Sequence, residues 1–396
     1  MAENKQNKRP NVPPLRFPEF TEPWERYKLS EFATKITKKN RDNSISNVLS
    51  NSATLGIVQQ SQYFEREIVT DENLVGYYVI NEDDFVYNPR KSVTAPYGPV
   101  NRYYCKESGI ISPLYLCFKV NGINKSFLLW FFKSPKWYRY IHLNGDSGVR
   151  HDRVSIKDDL FLDMPINVPS RAEQEKVSNL FELIDRRIAA QSKLIEDLQQ
   201  LKSALVDELF CDKANWVTYK CKDILHPVCE RNKALKINNV LSASQEHGMI
   251  SRDELDIDIK YESSAISTYK IVQPGDYVLH LRSFQGGLAF SRITGICSPA
   301  YTIFRPTKAV TYGFLEEFFM SKRFINSLRL VTYGIRDGRS INVDEFLNMN
   351  ISIPNMDTQC KIVQILSVFR QRLNNAQSIL QKYIVQKQYL LGQMFI

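Results

Sequence analysis

Two stretches place closely spaced cations beside glycine, as a turn that grips phosphate requires. GDSGVRHDRVS carries Arg150, His151 and Arg153, and TYGIRDGRSIN carries Arg336, Arg339 and Ser340. Such a turn lays planar guanidinium groups on a phosphate backbone or a base edge. Each half of the chain holds a second candidate just after an apolar strand pattern. The first contains Asn88, Arg90, Lys91, Ser92 and Tyr97; the second contains His280, Arg282, Ser283 and Gln285. The plainer alternative is that these arginines pair with local carboxylates such as Asp152 and Asp337. Arg150 and Arg153 recur as Arg336 and Arg339, and residues common to two different readers suit phosphate contact or local structure. Differences at equivalent places, His151 against Asp337 and Lys91 against Ser283, can specify bases.

Other chemistries lack their parts. There is no GxGxxG or GxxxxGK[ST] phosphate cradle, and the QGG at Gln285 reads as a turn. The five His form no HExxH or HxE pair. The NPR at Asn88 lacks the second proline and the aromatic that would stack a flipped adenine. DIDIK at Asp256 has the tail of a nuclease motif without its second carboxylate, and reads as a solvated loop. No catalytic or metal site is expected in either half.

The positioning elements are written twice. GIISPLYLCF from Gly109 and GICSPAYTIF from Gly295 match at six of ten positions. WERYKLSEF (Trp24) pairs with WVTYKCKDI (Trp216), and DDFVYNPRK (Asp83) with GDYVLHLRS (Gly275). FLLWFFKS (Phe127) pairs with FLEEFFMS (Phe314), GVRHDR with GIRDGR, and FLDMPINVP (Phe161) with FLNMNISIP (Phe346). Order is kept and the spacing stays between 185 and 192, which marks a tandem repeat. PLYLCFKV and PAYTIFRP alternate as strands, the Phe-rich phrases read as helices with Phe inward, and FLDMPINVP and FLNMNISIP read as short strands. Each half is α+β.

Each half ends in a heptad seam. Val177, Phe181, Ile184, Ile188, Ile195, Leu198, Leu205 and Leu209 recur at alternating steps of four and three, with Gln191 and Lys202 between them. The second series is Ile362, Leu366, Phe369, Leu373, Leu380, Tyr383, Leu390 and Met394, with Ala376 and Lys387 in the gaps. Each begins just after a proline, Pro169 or Pro354. Residues 172–210 would span about 58 Å as a helix. The first helix carries a net −3 and the second +5 with no carboxylate, so each prefers the other to itself. Packing of each helix on its own globular half is the alternative. Lys202 and Lys387 are expected to cover apolar surface with their stems while their heads reach water. Short connections favour an antiparallel pair with a globular half at each tip and an approximate twofold between them.

The expected organisation is a flexible leader over 1–16, globular domains over 17–171 and 211–357, and long helices over 172–210 and 358–396. The net charge is +9, yet 17–171 and 211–357 carry only +2 each, so a nucleic-acid surface must be a local patch. No apolar run approaches the length of a membrane span, and the polar start has no secretory core. Seven scattered Cys without a CxxC pair fit a reducing cytosol and argue against disulfides or zinc.

The PPLRFPEFTEPWERYKLSEF opening, the block GVRHDRVSIKDDLFLDMPINVPSRAEQEKVSNLFELIDRRI and its second copy resemble the specificity subunit of type I restriction-modification systems, from about Leu15 to Ile396. PSRAEQEKV, degenerate as PNMDTQCKI, is the most telling signature; its change to Thr358–Gln359 puts the second helix's capping in question. The resemblance implies two target-recognition domains joined by an antiparallel coiled coil, each reading one half of an asymmetric bipartite site in double-stranded DNA. It implies no catalysis and no cofactor in this chain. Two methyltransferase subunits using S-adenosylmethionine would dock on the coiled coil, with restriction subunits using ATP and Mg in the full complex. A standalone DNA-binding regulator or decoy with a coiled-coil spacer is the rival.

Overall fold

The computed structural model describes residues 11–60, 71–146, 152–211, 215–244, 247–254, 263–280, 283, 287–333 and 340–396. The chain forms two compact units, Met1–Gln191 with Ile379–Ile396, and Ser192–Ser378.

In the first unit an antiparallel sheet has the order Ala33–Lys35, Leu116–Val120, Phe85–Tyr87, Val100–Arg102. Its strands alternate between two apolar clusters. Phe85, Tyr87, Phe118 and Val120 face the cluster containing helix Lys125–Lys133, while Val86 and Cys117 face one built on Leu49, Ile80 and Ile111. A sheet covered on both faces needs apolar residues at every position, so these strands read as near-continuous hydrophobic runs. A second sheet has the order Gly56–Gln59, Val48–Ser52, Gly109–Ile111, Tyr78–Ile80, with one parallel pair, Val48–Ser52 against Gly109–Ile111. The first and last strands of the half, Glu25–Lys28 and Pro165–Val168, pair antiparallel.

The second unit repeats this plan. Its sheet runs Leu225–Val228, Thr302–Pro306, Tyr277–Leu279, Ala289–Phe290. Val217–Lys220 closes on Asn350–Ile353. The parallel contact of the second sheet survives as a single bridge, Val240 to Ile296. One expectation changes in both copies. The phrases FLDMPINVP and FLNMNISIP begin on short helices, Asp158–Leu162 and Val343–Asn348, and become strands only at Pro165 and Asn350. The helical turn lets Phe161 and Phe346 reach the core, where both are fully buried.

The long helices are Arg171–Leu209 and Met356–Gln393. They pair antiparallel within each unit. In the first, Val177, Phe181 and Ile184 share a core with Leu390, Leu391, Met394 and Phe395. In the second, Leu205, Val206 and Phe210 share one with Ile362 and Leu366. Ile195 is buried; Ile188, Leu198, Phe369, Leu373, Leu380 and Tyr383 are half-buried, as a seam between apolar and wet faces should be. A fully buried Phe181 contributes about 2–3 kcal/mol.

Three details correct the sequence reading. The second helix is capped despite Thr358, because the Asn355 side chain accepts from the Thr358 N–H at 3.0 Å. Glu173 is not a cap: buried, it accepts both Arg16 nitrogens at 2.7 Å and the Trp24 indole N–H at 3.2 Å. The seam lysines do not simply reach water, since Lys202 pairs with Glu317 at 2.7 Å and Lys387 pairs with Asp185.

Candidate nucleic-acid interface

In the first unit the backbone leaves the sheet after Tyr87, and Asn88 anchors the turn. The Asn88 side chain donates to the Asn51 carbonyl at 2.9 Å and accepts from the Arg90 N–H at 3.0 Å. Asn51 and Asn101 extend this into a buried polar network in which the Asn101 amide donates to the Asn51 side chain at 2.6 Å. A satisfied network of this kind holds one loop conformation, since breaking it would strand buried polar groups. Gly98 closes the loop: its φ is +85°, and a Cβ there would lie 2.1 Å from the Asn88 carbonyl oxygen.

The fold brings together two candidates that lie sixty residues apart in the chain. The Lys91 N–H donates to the Asp152 carbonyl at 2.8 Å, and the Val154 N–H donates to the Pro89 carbonyl at 2.9 Å. Arg90 and Arg153 face each other across this short ladder. The Arg90 guanidinium is 3.9 Å from the Asp152 carboxylate, with the two side chains 65% and 50% exposed. A pair so open contributes at most about 1 kcal/mol and leaves the guanidinium available to another anion. The Arg153 Nε is buried and has no hydrogen-bond partner among the described residues. Arg150 and His151 lie outside the described residues.

Lys91 is half-buried and Ser92 exposed. The Ser92 Oγ accepts from the Ala95 N–H at 3.1 Å and so tightens the turn whose tip is Val93. Val93 is completely exposed. Nothing in the sequence marks it, because an isolated apolar residue among polar ones gives no periodic signal. An apolar tip beside cations is what contact with a thymine methyl needs.

Asn88, Tyr97 and Ser283 differ from the outward-facing contacts expected of them. Tyr97 is half-buried, its ring 5.0 Å from that of Tyr138, and its carbonyl accepts the Tyr87 hydroxyl at 2.9 Å. Burial pushes the Tyr87 hydroxyl's pKa up, so it stays a donor. Ser283 is buried, and its Oγ accepts from the His280 N–H at 2.9 Å. These three shape loops. His280 stands half-buried with its ring 6.1 Å from that of Tyr301. Arg282, Gln285, Arg336 and Arg339 lie outside the described residues; Ser340 sits on a short strand, opposite Tyr333.

Among the described residues no group of three or more His, Cys, Asp or Glu side chains could hold a metal ion. No described helix is long and apolar enough to cross a membrane.

No protein-family model matches the chain, and no curated protein matches it. Solved structures do. One is a chain from a structure described as the structural basis underlying complex assembly and conformational transition of the type I R-M system; it is 13% identical, covers 93% of this chain and 96% of its own, and has a TM-score of 0.58. Another is the type I restriction-modification system S subunit from M. genitalium, 10% identical, covering 97% and 99%, with a TM-score of 0.53. At such identity the likeness concerns the fold, and it extends over both units and both long helices.

Proposed function

We propose that this chain is the DNA specificity subunit of a type I restriction-modification complex. The observation that carries the proposal is the end-to-end likeness of a duplicated fold to an S subunit, with two similar units that differ at their loops. Each unit reads one half of an asymmetric bipartite site, and the helix pair sets the gap. Two methyltransferase subunits dock on the helix pair, and restriction subunits complete the assembly. The chain itself performs no catalysis: S-adenosylmethionine chemistry belongs to the methyltransferase partner, and ATP and Mg to the restriction partner.

In this reading Arg90, Arg150, Arg153, Arg336 and Arg339 contact phosphate, whereas Lys91, Val93 and His151 contribute to base choice. Arg339→Ala should then weaken binding to target and random duplexes alike; loss confined to the target would reassign it to base reading.

The functional test is co-expression with a candidate methyltransferase from the same genome, followed by mapping of methylated adenines. Methylation at one gapped, non-palindromic motif that disappears when this gene is deleted is the expected result. Unchanged methylation, or failure of the two proteins to co-purify, would favour a standalone regulator.

A further inference from the structure

Each unit carries another loop, built the same way in both copies. In the first unit the Asn40 side chain donates to the Ile45 carbonyl at 2.9 Å and accepts from the Ile45 N–H at 3.2 Å. In the second, Asn232 does the same with Ile237, at 2.7 and 3.3 Å. Both asparagines are buried. Their backbone N–H groups donate to the backbone carbonyls of Tyr77 and Tyr269, each at 3.0 Å. The apex residues, Asn43 and Leu235, share left-handed φ values of 51° and 52°. Both halves share one loop shape, clamped from inside.

What the clamp presents is positive charge. Lys39 and Arg41 occupy the places of Arg231 and Lys233, and Lys236 adds a further cation. All five are exposed, and none forms an ion pair among the described residues. The neighbouring carboxylates do not cancel them: residues 38–44 and 230–236 each carry a net +2. In the second unit Arg231, Lys233 and Lys236 line an open cleft of about 680 Å³.

Strand register fixes where these loops stand. Val86 pairs with Cys117, and the Ile36 N–H donates to the Cys117 carbonyl. Strands Ala33–Lys35 and Phe85–Tyr87 therefore finish at the same end of the sheet, separated by one strand. In the second unit Val228 and Val278 both pair with Ile303, so strands Leu225–Val228 and Tyr277–Leu279 finish together as well. The clamped loop thus rises beside the loop that begins at Asn88, or at His280, about 10 Å away at its base.

We infer that the Asn40 and Asn232 loops are a paired phosphate clamp that fixes each reader's register on duplex DNA. The inference rests on the DNA-reading function proposed above. Equal charge at equivalent places in readers of different sequence suits the one feature that all DNA half-sites share, the backbone.

The test uses the full chain in complex with its methyltransferase partner, the target duplex mapped by methylation, and a random duplex of equal length. The variants are Lys39→Ala/Arg41→Ala and Arg231→Ala/Lys233→Ala. Lys106→Ala/Lys308→Ala removes the same charge from the opposite ends of the two sheets. Each clamp variant should lower the slope of log affinity against log salt by about two, and weaken both duplexes by the same factor. The methylated motif should not change. An unaltered slope in a complex that binds DNA normally would overturn the clamp while leaving the function standing, as would an equal loss in the opposite-end control. Loss on the target duplex alone would make these residues base readers and also overturn it. If the parent complex binds neither duplex, the functional proposal fails and the clamp fails with it.

Discussion

Lys387 holds its ammonium 4.8 Å from the centroid of the Trp130 ring, and Lys202, its counterpart 185 positions earlier, instead meets Glu317, which stands where Trp130 stands in the other copy. The exchange is compensated nearby. Asp185 neutralises Lys387 in the first unit, whereas its counterpart Arg370 contacts Glu316 at 2.6 Å and Glu317 at 3.2 Å in the second. Equivalent positions of the repeat are thus apolar in one copy and ionic in the other.

Because Glu317 is 9% exposed and shared by two cations, Glu317→Ala should cost about 2–3 kcal/mol. Asp185 is 44% exposed, so Asp185→Ala should cost less than about 1 kcal/mol. Urea unfolding of the full chain measures both. Equal losses would show that burial does not set the difference.

Glu173→Ala should be among the most damaging single changes, at roughly 3–5 kcal/mol, because it leaves the Arg16 guanidinium, 11% exposed, without its carboxylate. The expected signature is early loss of the packing between the 11–24 segment and the first long helix, read by Trp24 fluorescence. Thr358→Glu in the other copy should bring no matching gain.

Burial raises the Asp84 pKa, opposed in part by the hydrogen bond from the Asn81 N–H. The folded state therefore binds the proton more tightly than the unfolded chain, whose value is about 3.9. Stability falls as pH rises through the window between the unfolded and folded values, and the penalty is complete above it. Asp84→Asn, which keeps an acceptor for Asn81, should stabilise the protein at pH 7 and give no gain near pH 3. Thermal melts at the two pH values decide this; equal gains at both would remove the burial explanation.

Gly98→Ala should disorder the turn after Asn88, because the added carbon collides with backbone that cannot move aside. DNA affinity should fall by tenfold or more, read at a temperature where the chain stays folded, and the melting temperature should fall as well, since Tyr97 in the same turn packs against the first unit's main core. Val93→Ala should leave affinity nearly unchanged and relax the methylated motif at one position, read by sequencing. A Val93 variant with an unaltered motif would remove it from base reading.

Much of this protein is legible in one dimension. The duplication, the two heptad seams and the α+β halves follow from periodicity and spacing, because burying a stripe of apolar side chains leaves a regular trace in the chain. The Asn40 and Asn232 loops also left a trace, an asparagine followed five residues later by isoleucine, 192 positions apart. It is too short to stand out without the hydrogen bonds that give it meaning. Whether a polar side chain points outward could not be read at all. Asn88 and Ser283 have the composition of contact residues, yet both are turned inward to hold loops, while Val93 looks like filler and is fully exposed. The meeting of Arg90 with Arg153 depends on a ladder between segments sixty residues apart. Sequence by itself determined the repeated elements and the helix pairing, since both arise from local pattern and net charge. Only the tertiary structure decided which cations stand free and which side chains serve as clamps, because that depends on partners brought together through space.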